Sequence, residues 1–163
     1  MTEYLLFMQR LLLVLLGLVC ANHVEAYDFT AKNEDDVVIY YNYNGAIAIV
    51  TSGEQQYEGT VRIPATVTND GITYEVKLIG PKAFFNCRAL TSVEIPASVV
   101  AIGSFAFYFC LSLESIDIPG NVMAIGDRAF VECQNMETIR LSEGLLSRRI
   151  GHFAGWKRPY VVL

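Results

Sequence analysis

The chain is short of charge, of histidine and of long apolar runs. Only 18% of its residues are Asp, Glu, Lys or Arg, against about a quarter in ordinary soluble domains. Its net charge of −5 excludes general nucleic-acid binding, which needs a basic surface facing phosphate. There are 2 histidines, and just one, His152, lies beyond the leader segment described below. A Ser-His-Asp or Cys-His arrangement would have to use it, and no nucleophile-elbow motif accompanies it. No glycine-rich phosphate loop occurs, and no cysteines sit close together as zinc ligands do. Catalytic residues, metal ligands and cofactors are therefore all expected to be absent. No run reaches the roughly 20 apolar residues of a membrane-spanning helix. Yet 53% of the chain is hydrophobic, which excludes intrinsic disorder and raises the question of where that material sits.

Part of it is in residues 11–19, an unbroken apolar run after Arg10. With Val24-Glu25-Ala26 downstream, this has the layout of a secretory signal, in which an apolar centre precedes compact residues at a cleavage site. Residues 1–26 are expected to be a signal peptide, and the protein to be secreted or displayed at a cell surface. A lipid anchor at Cys20 is an alternative, although Leu18-Val19 before it is bulky for such a site. An uncleaved signal anchor is another. Any membrane contact is expected through this segment alone.

The rest is periodic. Ile79-Gly80, Ile102-Gly103 and Ile125-Gly126 recur at a spacing of 23, as do Ala83-Phe84, Ala106-Phe107 and Ala129-Phe130. Cys87, Cys110 and Cys133 follow, then Leu90, Leu113 and Met136, and then Val93, Ile116 and Ile139. A fixed period of this length marks a repeat architecture, because one unit cannot bury its apolar face without a stacked neighbour. Within a unit, Val93-Glu94-Ile95 alternates as a half-buried strand does, with Pro96 ending the pairing. The spacing of Phe107 and Cys110 predicts one short helical turn.

The pattern Leu-x-x-Val-x-Ile-Pro, then Val, then Ile-Gly-x-x-Ala-Phe-x-x-Cys resembles the BspA-like class of bacterial leucine-rich repeats. The resemblance covers residues 79–146 closely. A degenerate earlier unit stands at Val61-Arg62-Ile63-Pro64, and the extra residues that follow include Asn69-Asp70-Gly71, a hairpin turn. The implied fold is a leucine-rich-repeat solenoid, a β-dominated α/β structure with short helical turns. Residues 61–146 would form it, with the degenerate unit at 61–78 and three 23-residue units from about 79. Residues 27–60 read as an N-terminal β cap, with strands either side of Asn44-Gly45. Its tyrosines Tyr40, Tyr41 and Tyr43 fit cross-strand packing better than a carbohydrate-stacking surface. Residues 147–163 depart from the pattern as a degenerate or truncated final repeat, whose edge is a candidate for self-association.

The structural ladder is expected to comprise Phe84, Phe107 and Phe130 with Cys87, Cys110 and Cys133. The thiols are read as reduced and buried, since stacked equivalents point in parallel and an odd number leaves one unpaired. If Val93 and Ile95 point inward, the outer strand face carries Ser92, Glu94, Ser115, Asp117, Thr138 and Arg140, a mildly acidic strip. The resemblance implies a bacterial surface protein that engages host matrix proteins, other cells or glycans. The expected function is therefore an exported, non-catalytic, adhesin-like protein binding an extracellular protein or glycan through that face. A structural or vestigial envelope protein, the remnant of a longer repeat adhesin, is the alternative.

Overall fold

The structure is a computed structural model that describes residues 27–141 and a short strand at 161–162. The expectations for residues 1–26, for Cys20, for His152 and for most of the final unit lie outside the described residues.

The N-terminal part is an antiparallel meander of β1 (Phe29–Lys32), β2 (Val38–Asn44) and β3 (Ile47–Thr51). Asn44 leads into Gly45, whose φ of 62° suits the turn between β2 and β3. A second hairpin joins β5 (Thr66–Asn69) to β6 (Ile72–Ile79). Asp70 and Gly71 both take positive φ there, as a two-residue type I′ connection requires. Between the hairpins lies β4 (Gly59–Arg62).

From β6 onward each 23-residue unit supplies two strands. The short strands β8 (Ala101–Ile102) and β10 (Ala124–Ile125) extend a first sheet in the order β1-β2-β3-β6-β8-β10, with β5 on the side of β6. The longer strands β7 (Leu90–Glu94), β9 (Ser115–Ile118) and β11 (Thr138–Leu141) pair in parallel with β4 and with β12 (Val161–Val162) in a second sheet. Ser92 lies beside Ser115 and Ser115 beside Thr138, so equivalent residues form columns running across the strands. β12 pairs Val161 with Arg140, 21 positions on instead of 23.

The segments that carry each unit from the first sheet to the second are not helical, and among the described residues there is no helix. The expected helical turns fail for a backbone reason. Lys82, Asn86, Phe105, Phe109, Arg128 and Glu132 all have positive φ, which breaks a right-handed helix at every unit. Ala83, Phe85 and Cys87 donate to carbonyls three residues back. The alternate amides of Lys82, Phe84 and Asn86 donate across to Ser104, Ala106 and Tyr108 of the next unit, at 2.7–3.0 Å. Phe105, Phe107 and Phe109 repeat the pattern toward Asp127, Ala129 and Val131. The turns thus form a third hydrogen-bonded ladder, called here the turn face, and the outer side of the second sheet is the strand face.

The core runs between these layers. Phe84, Phe107 and Phe130 are fully buried and stack at 4.9 and 5.2 Å, tilted by only 5°. Tyr57 continues the stack, 4.6 Å from Phe84, and its hydroxyl accepts from the Tyr40 amide and donates to the Thr51 carbonyl. Units approach closely at Gly103 and Gly126, where an added Cβ would lie 2.4 Å from the Pro81 nitrogen and 2.2 Å from the Ser104 nitrogen. Only glycine admits backbone contact that tight.

Candidate functional site

The strand face is positioned by the parallel register of β4, β7, β9 and β11. One column holds Thr60, Ser92, Ser115 and Thr138, and the next holds Arg62, Glu94, Asp117 and Arg140. Ser92, Ser115 and Thr138 are half-buried, whereas Glu94, Asp117 and Arg140 are exposed. The charged column is internally paired. Arg62 donates to Glu94 at 2.9 Å and to Asp35 at 2.8 Å, and Arg140 donates to Asp117 at 3.0 Å. The Glu94 hydrogen bond, reinforced by the charge of Asp35, holds the Arg62 guanidinium above its ordinary pKa. Each carboxylate is thereby matched by a neighbouring arginine, which lowers the net field of this face. Arg62 escapes a period-23 reading because it lies in the degenerate unit, 32 residues before Glu94.

Parallel pairing between β7 and β9 ends at Val93 and Ile116, one residue before Glu94 and Asp117. Beyond that point the units separate into a shallow groove of about 300 Å³, lined by Glu94, Ile95, Asp117, Ile118 and Pro119 among others. Ile95 borders it and is only partly buried, in contrast to Ile63, Ile118 and Leu141 at equivalent positions. It still packs inward against the core, with one edge left open to the groove. Proline at positions 64, 96 and 119 contributes to the separation, because it carries no amide hydrogen to bond the next unit. A neighbouring groove lies on the other side of Glu94, bounded by Asn33, Arg62 and Ile63.

Cys87, Cys110 and Cys133 are buried and free. Cys110 donates its thiol to the Phe84 carbonyl at 3.1 Å and Cys133 to the Phe107 carbonyl at 3.0 Å, so each bonds back into the preceding unit. Burial raises all three pKa values, Cys87 to about 11 and Cys133 to about 12. These thiols are poor nucleophiles at neutral pH, since the reactive species is the thiolate. Among the described residues no group of three or more His, Cys, Asp or Glu side chains is placed to hold a metal ion. No helix among them is long and apolar enough to cross a membrane. Of the three tyrosines in β2, Tyr40 and Tyr41 are buried, and Tyr43 is exposed beside Phe29 and Tyr74. The two buried rings cannot form a sugar platform.

The turn face carries residues that the sequence reading left unremarked. Phe85 stacks on Tyr108 at 5.5 Å, and Phe105 and Phe109 meet Tyr108 edge-on at 5.5 and 4.7 Å. Phe85 is exposed, while Phe105, Tyr108 and Phe109 are half-buried. Lys82 lies over Phe85 and Arg128 over Phe105, each 5.9 Å from the ring centre. The signal was present in the run Phe105-Ala106-Phe107-Tyr108-Phe109, which replaces the Lys82 and Asn86 of one neighbour and the Arg128 and Glu132 of the other.

Comparison with known proteins supports the repeat reading. The model of the BspA type leucine rich repeat region matches residues 64–157 in 6 copies. A leucine-rich repeat protein from Bacteroides capillosus aligns with 24% identity and a TM-score of 0.67, over 83% of this chain and 99% of its own. A leucine rich cell surface protein from Faecalibacterium prausnitzii aligns with 24% identity and a TM-score of 0.57, again over 83% of this chain. The match spans 43% of that longer chain. At this identity the likeness shows the fold. A search of curated protein sequences gave no match.

Proposed function

Because the chain belongs to the BspA-type leucine-rich repeat family, we propose that it is an exported, non-catalytic surface protein that binds other proteins or cell surfaces. Its stacked units are read as a short solenoid carrying side chains in fixed columns. The observation that carries this reading is the strand face, where Ser92, Ser115 and Thr138 stand in register beside the charged column ending in Arg140. The groove along Glu94, Ile95 and Asp117 gives that face relief as well as hydrogen-bonding groups. A rigid, pre-ordered surface of this kind loses little entropy on binding. Its ladder is short, since strands lie about 4.8 Å apart, and one copy should bind weakly. Display in many copies would raise avidity.

The test is a binding screen of the full chain against immobilised extracellular matrix proteins and glycans. Saturable binding to at least one, weakened by Glu94→Lys combined with Asp117→Lys in a variant that still melts cooperatively, is the expected result. Absence of binding throughout the screen would contradict the reading.

A further inference from the structure

We infer that the turn face is a second docking surface, distinct from the strand face, and that it takes an acidic segment of a protein partner. Three observations converge there. The first is charge. Among the described residues, Lys32, Arg62, Lys77 and Arg140 are each ion-paired with a carboxylate. The described cations left without one are Lys82, Arg88 and Arg128, and all three lie in the turn segments. Lys82 and Arg128 rest on rings, and Arg88 donates to the amide oxygen of Asn86. In a chain with a net charge of −5, the three cations of the turn segments outnumber the two carboxylates there, a small local inversion of sign. Carboxylates do occur on the same turns, at Asp127 and Glu132, and neither is free.

The second is composition. Phe85, Phe105, Tyr108 and Phe109 form one contiguous aromatic cluster between those cations. Partly exposed aromatic rings, one of them under an arginine, are among the residue types enriched at protein interfaces. The third is backbone conformation. Phe105 and Phe109 have φ of 58° and 61°, a region that bulky side chains disfavour and asparagine tolerates. Neither ring is fully buried, the core position of that unit being held by Phe107. Two unfavourable placements are thus kept where the neighbouring units carry polar side chains, which points to a use outside folding.

The geometry also sets the ligand. Lys82, Phe105 and Arg128 occupy equivalent positions in successive units, so the backbone positions of the two cations stand about 10 Å apart with that of Phe105 between them. One turn of a polyproline II segment, three residues, rises about 9 Å and returns side chains to the same face. The segment that fits carries carboxylates three residues apart, with apolar or aromatic side chains between.

The experiment uses the full chain and a fluorescent peptide that repeats Glu-Tyr-Ser, with a Lys-Tyr-Ser peptide and soluble polyglucuronate as competitors. The Glu-Tyr-Ser peptide is expected to bind saturably and to be displaced by neither competitor. Lys82→Glu combined with Arg128→Glu should weaken it at least tenfold. Phe105→Asn, which keeps a residue suited to positive φ, should weaken it severalfold without changing the circular dichroism spectrum. Glu94→Lys combined with Asp117→Lys should leave it unchanged. Binding that survives both turn-face variants, that is lost in the strand-face variant, or that polyglucuronate displaces would overturn the proposal. So would absence of peptide binding.

Discussion

On the strand face, the charged column is paired within the protein. Arg62 reaches Asp35 and Glu94, and Arg140 reaches Asp117. On the turn face, Lys82 and Arg128 lie on aromatic rings, and among the described residues neither is ion-paired with a carboxylate. Both faces are built from the same 23-residue unit over the same core. The difference teaches that the repeat dictates backbone register and leaves the outward positions to specialise. A face whose charges answer one another stays soluble and offers shape and hydroxyl groups. A face whose cations outnumber its carboxylates retains charge for a partner.

The comparison can be broken most severely from beneath. Phe107 lies between Phe84 and Phe130 under the turn face, and Phe107→Ala should cost about 3–5 kcal/mol. Ile116, buried in β9 under the strand face, is its counterpart, and Ile116→Ala should cost about 2–5 kcal/mol. Thermal or urea unfolding of the two variants measures this. Cooperative loss of both faces in each variant is expected, because neighbouring units stabilise one another.

A smaller perturbation acts on the turn ladder alone. Cys87, Cys110 and Cys133 have folded pKa values raised by burial above the ordinary thiol value. The folded state therefore holds these protons more tightly than the unfolded chain. Their contribution to stability is complete below about pH 9 and falls as pH rises beyond it, with Cys87 limited by its folded value near 11. The slope is roughly 1 kcal/mol per pH unit for each thiol. Urea midpoints measured from pH 8 to 10.5 should decline, and a Cys110→Ala variant should decline less steeply. A flat profile would show that the thiols are not held protonated by the fold.

Much of this was legible in the sequence. The 23-residue period located the buried Phe and Cys positions, and Asn44-Gly45 and Asp70-Gly71 located two hairpin turns. Three features were not legible, each for a physical reason. The turns looked helical because Phe107 and Cys110 are three apart, while the positive φ at Phe105 and Phe109 leaves no mark in residue spacing. β1 was missed because Phe29–Lys32 is short and finds its strand partner only in β2. The pairing of Glu94 escaped the repeat because Arg62, which also bonds Asp35, comes from outside the regular units and reaches Glu94 through tertiary packing. The aromatic cluster was visible as a departure from the repeat, but period matching rewards agreement and passes over departures.

The most direct test of the two-face account is a map of amide chemical-shift changes on adding the Glu-Tyr-Ser peptide to the isotopically labelled chain. The account predicts changes grouped at 82–88, 105–109 and 128–132, with 60–62, 92–94, 115–117 and 138–140 unmoved. Changes grouped on the strand residues instead, or spread evenly over both faces, would contradict it.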